Sequence, residues 1–141
     1  MNYIYKLISK IIIRNIESYR NTERDVAADN WTSTRLLLAD DKMGFSFHET
    51  IVHPNTETKI WYKNHLEAVY CIEGTGQIEG EDKTKHNLNP GTIYALDKHD
   101  KHVLRAFTKM RMICVFNPPL VGRETHDQEG VYPLIESKEV A

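Results

Sequence analysis

The chain has 141 residues, of which 40% are hydrophobic and 27% charged, and its formal net charge is −2. That is enough for one domain with a buried core and too little for two ordinary ones. The balance speaks against a disordered or membrane-embedded chain, and with no basic stripe there is no electrostatic footprint for nucleic acid.

The first ten residues, MNYIYKLISK, are apolar and slightly basic. Lys6 and Lys10 interrupt the run and no small-residue cleavage site follows, so 1–10 is read as an N-terminal extension rather than a secretory signal. Residues 11–16, IIIRNI, are β-branched and predict a first strand. Residues 17–28 have poor apolar periodicity and predict at most a short helix. A hairpin follows, with arms at 36–38 and 45–52 around the Asp40-Asp41 turn. Further strands are predicted at 58–62, 67–72, 77–79, up to Leu88, 92–96, 102–106 and 110–116, with the Asn89-Pro90-Gly91 turn and Asn117-Pro118-Pro119 as punctuation. Residues 134–141 read as a flexible tail. Nine or ten short strands with little helix predict an all-β sandwich or closed barrel. Cys71 and Cys114 lie in apolar strand-like runs without a C-x-x-C motif, the usage of a reducing compartment, so a cytoplasmic protein is expected.

The chemistry concentrates at His65-Leu66-Glu67 and at the segment PGTIYALDKHDKH, residues 90–102. Leu66, Ala68, Tyr70 and Ile72 alternate with Glu67, Val69 and Cys71, and Gly74 and Gly76 are expected to supply positive φ in a return turn. Glu67 is the anomaly, because a buried carboxylate needs a cation, a metal or a proton. Tyr94 and His102 are two further ligand types. Carboxylate, phenolate and neutral imidazole form an O,O,N set suited to iron(II), manganese or zinc. The phenolate requires the metal to displace a proton that ordinarily leaves near pKa ~10.

Glu67 followed by six residues and Gly74, and a PG turn with a histidine beyond it, resemble the paired motifs of the cupins, small jelly-roll β-barrels with an internal site. The two histidines that usually precede the glutamate are absent, since this chain reads IWYKN there. The strings WTSTRLLL, GFSFHET, IWYKNHLEAVYCIEG, PGTIYALDKHDKH and CVFNPPLVGRETHD together are similar to the ectoine synthase family within the cupins. The likeness spans residues 11–133, taken as a single cupin domain. It implies an iron-dependent hydro-lyase that closes N-γ-acetyl-L-2,4-diaminobutyrate into the cyclic amidine ectoine in osmotic-stress metabolism, and by cupin analogy a homodimer. It further implies Glu67, Tyr94 and His102 as metal ligands, with Zn2+ or Mn2+ as alternatives to Fe2+. Trp31, Arg35, Thr50, Tyr62, Cys114, Phe116, Glu124 and His126 are the implied substrate residues, with Tyr62, Glu124 and His126 as candidates for proton transfer. Strand parity agrees, because Trp31, Ser33 and Arg35 share one face, His48 and Thr50 another, and Cys114 and Phe116 a third.

Blander readings stand beside these. Glu67 could pair with Lys63, and Glu124 with His126 could be a solvated pair in the segment after Pro119. His53, His65, His86 and His99 read as surface residues. Two rival functions are an oxygenase-type metal cupin, which would consume oxygen, and a non-enzymatic solute-binding cupin, which would hold a ligand without turnover.

Overall fold

The computed structural model describes residues 11–135. The extension at 1–10 and most of the tail at 134–141 therefore lie outside the described residues. Among the described residues ten strands run β1 Asp25–Ala27, β2 Trp31–Leu37, β3 Ser46–Val52, β4 Thr56–Trp61, β5 Leu66–Glu73, β6 Gly76–Gly80, β7 Lys85–Leu88, β8 Ile93–Leu96, β9 Lys101–Ala106 and β10 Met110–Asn117. Helix among the described residues is limited to two 3-10 turns, Ile16–Ser18 and Ala39–Asp41.

The strands form a six-stranded sheet in the order β1-β2-β3-β10-β5-β8 and a four-stranded sheet in the order β4-β9-β6-β7. Every ladder is antiparallel. From β3 onward the chain crosses between sheets at most connections, with β6-β7 the one hairpin kept within the smaller sheet. That crossing pattern is a jelly roll, the expected fold class.

Period-two sequences bury one face of each strand against the other sheet. Met110, Met112, Cys114 and Phe116 of β10 are buried while Arg111, Ile113 and Val115 are less so. In β9, His102, Leu104 and Ala106 point inward, and in β5 Glu67, Val69 and Cys71 do. Gly74 has φ +89, as expected, and any Cβ there would run into the Lys109 carbonyl. Gly76 differs from expectation: it has no positive φ, and its need for glycine is the close approach of the Arg105 carbonyl and the Met110 sulfur.

Two other expectations are corrected. Residues 11–15 form no strand, and Ile11 and Ile13 are 81% and 84% exposed, because no neighbouring strand among the described residues offers them a ladder. In place of a helix within 17–28, Asn15 caps a single 3-10 turn and Asp25–Ala27 pairs with β2. Edge pairing with β2 outweighs a weak local helical preference.

The outer surface of the larger sheet is tied by Glu49, whose side chain is 2% exposed and accepts from Arg20 Nη2 at 2.9 Å and Arg111 Nε at 2.6 Å. Burial raises the Glu49 pKa, but the two guanidiniums outweigh it and hold the carboxyl below its ordinary value. Glu49→Ala should cost about 2 kcal/mol at neutral pH, the scale of hydrogen bonds to charged groups with partly solvated partners. A depressed carboxyl pKa stabilises the fold above the ordinary carboxylate range, and that stabilisation fades as pH falls through the folded value. Urea unfolding of wild type and variant should therefore converge at acid pH.

Candidate active site

Register across the larger sheet builds the site rung by rung, because directly opposed residues share a face. One rung carries Arg35, His48, Cys114, Val69 and Tyr94 on β2, β3, β10, β5 and β8. The next carries Ser46, Phe116, Glu67 and Leu96. On the other side, Ser33, Thr50, Met112 and Cys71 align. Tyr94 opposes Val69, so it lies on the same inner face as Glu67 and diagonal to it. From the smaller sheet, His102 stands between Ile60 and Gly80, its ring 6.3 Å from that of Tyr94 and 6.2 Å from that of Tyr62.

These walls enclose a chamber of about 40 Å³. Glu67, Tyr94, Cys114 and Thr50 line it from the larger sheet, and Trp31, Tyr62, Phe116, His126 and Tyr132 supply an aromatic side. It has room for about a water molecule, far below the ~300 Å³ of a small-molecule pocket. Arg35, Glu124 and His102 do not line it.

Burial pushes the Glu67 carboxyl up to about 8, with the Cys114 thiol pulling the other way. Burial, and then the Glu67 charge, push Tyr94 well above its ordinary value. His102 is pushed down by burial. Its Nδ1–H donates to the Asp100 carbonyl at 3.0 Å, and its Nε2 is buried without a partner. Such a fixed tautomer with a bare lone pair is what a metal-binding imidazole requires. The two oxygens are likewise groups a divalent cation would return to their anionic forms. Glu67, Tyr94 and His102 therefore fit a cation by donor chemistry and by the orphaned nitrogen. Lys63 does not neutralise Glu67, since its ammonium lies over the Trp61 ring at 5.0 Å. Among the described residues no group of three or more His, Cys, Asp or Glu side chains is placed to hold a metal, and the set described here contains two such residues plus a tyrosine.

Opposite this set, Tyr62 Oη and His126 Nε2 are 2.8 Å apart. Burial and then the Arg35 charge lower His126 to about 4, so its ring is neutral at physiological pH and accepts from the phenol. Tyr62 itself is pushed well above its ordinary pKa by burial. Cys114 Sγ donates to Thr50 Oγ1 at 3.5 Å, and burial raises the thiol well above its ordinary value.

Arg35 is fully buried and its contacts are long: Ser33 Oγ at 3.3 Å, the Gly122 carbonyl at 3.3 Å, Tyr132 Oη at 3.5 Å and the Glu124 carboxylate at 3.9 Å. Such a loosely held cation retains capacity for a further anion. Glu124, 1% exposed, accepts from the backbone N–H groups of Val121 and Gly122 at 2.7 and 2.9 Å, folding the segment after β10 over the site. The structure thus brings Trp31, Thr50, Tyr62, Glu67, Tyr94, Cys114, Phe116 and His126 to one chamber, and sets Arg35 and Glu124 behind its wall.

Sequence reasoning missed two residues. His65, read as a surface residue, is 1% exposed, and its Nδ1–H donates to the Pro118 carbonyl at 2.9 Å. The loop after β10 covers it, so nothing near it in sequence signals burial. Tyr132 lines the chamber although the chain around it is polar; the Val131-Tyr132 pair ahead of Pro133 was the available signal.

A two-sheet jelly roll with a buried site between its sheets has the cupin fold. A Cupin 2 conserved barrel domain protein from Salinispora arenicola, 14% identical, superposes with a TM-score of 0.63 over 77% of this chain and 89% of that chain, a likeness of fold alone. The family model described as ectoine synthase matches residues 11–136. An L-ectoine synthase from Hahella chejuensis is 59% identical over 125 residues, 88% of this chain and 95% of its own length. An ectoine synthase crystal structure from P. lautus is 50% identical, with a TM-score of 0.81, covering 90% of this chain and 95% of that one. The chain belongs to the ectoine synthase family, whose members are hydro-lyases.

Proposed function

We propose that this chain closes N-γ-acetyl-L-2,4-diaminobutyrate into ectoine with loss of water, using iron(II) held by Glu67, Tyr94 and His102. The observations that support this reading are a buried Glu67 carboxyl and a Tyr94 phenol lining one chamber, a bare His102 imidazole nitrogen on a ring 6.3 Å from that of Tyr94, and a hydrogen-bonded Tyr62–His126 pair, in a chain 59% identical to an L-ectoine synthase. Zinc or manganese would suit the same O,O,N donors.

In the reaction the substrate's α-amine nitrogen bonds to its acetamide carbonyl carbon. Both amine protons then depart with the carbonyl oxygen as water, leaving a carbon–nitrogen double bond. When bound, the metal supplies a Lewis acid for a developing oxyanion. The chain's own residues do the rest. The Tyr62 oxygen takes a proton from the attacking amine as its own passes to neutral His126 Nε2, and the pair hands that proton back to the departing oxygen, a relay used once for each amine proton. Arg35 holds the substrate carboxylate in a fork, and Glu124 positions Arg35 and the covering segment rather than meeting the reacting atoms. The aromatic side and Cys114 fold the chain of the substrate so that amine and carbonyl meet, and they keep out the water that would reverse the reaction.

Arg35→Lys should raise KM on the order of tenfold or more, because an ammonium cannot reproduce a bidentate fork. Steady-state kinetics that leave KM and kcat unchanged would remove Arg35 from substrate recognition. Among the described residues no helix is long and apolar enough to cross a membrane. A cytoplasmic enzyme serving osmotic stress is the cellular reading that accompanies the activity. A homodimer accompanies it too, supported by the outward apolar strip of Leu66, Tyr70 and Ile93, of which Tyr70 and Ile93 are direct neighbours across β5 and β8. The deciding experiment incubates iron-loaded protein with the acetylated diamino acid and follows ectoine by NMR. Oxygen consumption without ectoine, or tight binding without turnover, would replace this reading with an oxygenase or a solute-binding protein.

A further inference from the structure

Tyr132 touches two parts of the site. It reaches the chamber from the segment after β10, and its side chain is 3% exposed. Its ring stacks on Tyr62 with centroids 5.0 Å apart and planes 14° from parallel. The His126 ring is 4.6 Å away on the same segment, with Phe116 at 5.4 Å edge-on. Asn64 Nδ2 donates to its backbone carbonyl at 2.9 Å, which pins the residue in place. At the other end of the ring, Tyr132 Oη accepts from Arg35 Nη2 at 3.5 Å, and the guanidinium carbon lies 5.5 Å from the ring centroid.

Tyr62 and His126 line the chamber, whereas Arg35 does not, and Tyr132 stands in contact with all three. The 2.8 Å contact between Tyr62 Oη and His126 Nε2 joins a strand-end residue to one on a covering segment. Two groups on separate pieces of chain keep such a distance only if something fixes both rings. Tyr132 does this by packing against each.

We propose that Tyr132 is a further positioning residue, holding the Tyr62–His126 pair in hydrogen-bond reach with its ring and steadying Arg35 for a substrate carboxylate with its hydroxyl. The inference rests on the cyclisation proposed above, and its two halves predict different kinetics. Tyr132→Leu removes the stacking surface and should lower kcat on the order of a hundredfold, the size of a ~1 Å misplacement of reacting groups. Tyr132→Phe keeps the ring and loses the acceptor for Arg35, so kcat should stay within about threefold while KM rises up to roughly tenfold, the scale of one hydrogen bond to a charged group.

The test measures kcat and KM per folded molecule for both variants in the full chain. It also records the histidine ring 15N resonances, with His126 assigned through His126→Gln. The wild-type His126 Nε2 signal should carry the shift of a hydrogen-bonded acceptor, kept in Tyr132→Phe and lost in Tyr132→Leu. A residue that only fills space would lower the melting temperature and leave kcat, KM and the His126 signal unchanged, which overturns the proposal. If Tyr132→Leu fails to fold, Tyr132→Phe decides, and wild-type KM in that variant overturns the Arg35 half. A wild-type protein that makes no ectoine defeats the activity reading instead, while the 15N signal still reports whether Tyr132 positions His126.

Discussion

Glu67→Ala should leave a folded protein that retains no iron and makes ectoine on the order of a thousandfold more slowly, the scale of losing a principal electrostatic group from an active site. The fold should survive because Glu67 contributes a carboxyl group to the inner face of β5 rather than apolar packing, and its neighbours Val69 and Cys71 keep that face buried. The metal-free proteins give a second readout. Burial raises the Glu67 carboxyl from an ordinary 4.5 to about 8 in the folded chain. Between those values the folded state keeps a proton that the unfolded state has released, so the stability of metal-free wild type should fall as pH rises through that window. Metal-free Glu67→Ala should lack that slope. Metal analysis and thermal melts across pH check both statements, and full iron occupancy in the variant would end the ligand assignment.

Much of the barrel was readable from local pattern. Alternation in residues 110–116 and 102–106 identified β10 and β9, and the shared parity of Cys114 and Phe116 named the inner face of β10, because a strand with one buried face must repeat every two residues. Glu67 stood out for the same reason, as a carboxylate in an inner position among Val69 and Cys71. Failure came where burial is conferred by distant chain. Residues 11–16 are as β-branched as any strand here, yet a strand exists only where a partner offers a ladder, and that information is not local. His65 and Tyr132 become core through the segment that folds back after β10. Likewise Arg35 meets Glu124 through register and chain reversal, a pairing that no spacing could announce. The O,O,N set was nameable from residue types, but the approach of the Tyr94 and His102 rings depends on their belonging to opposite sheets.

Tyr94 gives the sharpest test of that set, because a phenolate on ferric iron has a visible charge-transfer band that carboxylate and imidazole ligands lack. Iron-loaded wild type, oxidised in place, should be coloured, and Tyr94→Phe should be colourless at equal iron content. The substitution keeps the ring that lines the chamber beside Glu67 and Val69, so packing should change by less than ~1.5 kcal/mol. It removes one anionic oxygen, so iron affinity should fall on the order of tenfold to a hundredfold, and ectoine formation with it. Without a cation, burial and the Glu67 charge keep this phenol protonated far above its ordinary range. Colour at neutral pH would therefore mean that the metal itself removes the proton, which a hydrogen-bonded neutral tyrosine cannot imitate. A colourless ferric wild type with iron demonstrably bound would exclude Tyr94 from the coordination sphere. His48, whose Nε2 is also buried without a partner one strand beyond Cys114 on the same rung, would then be the next residue to substitute.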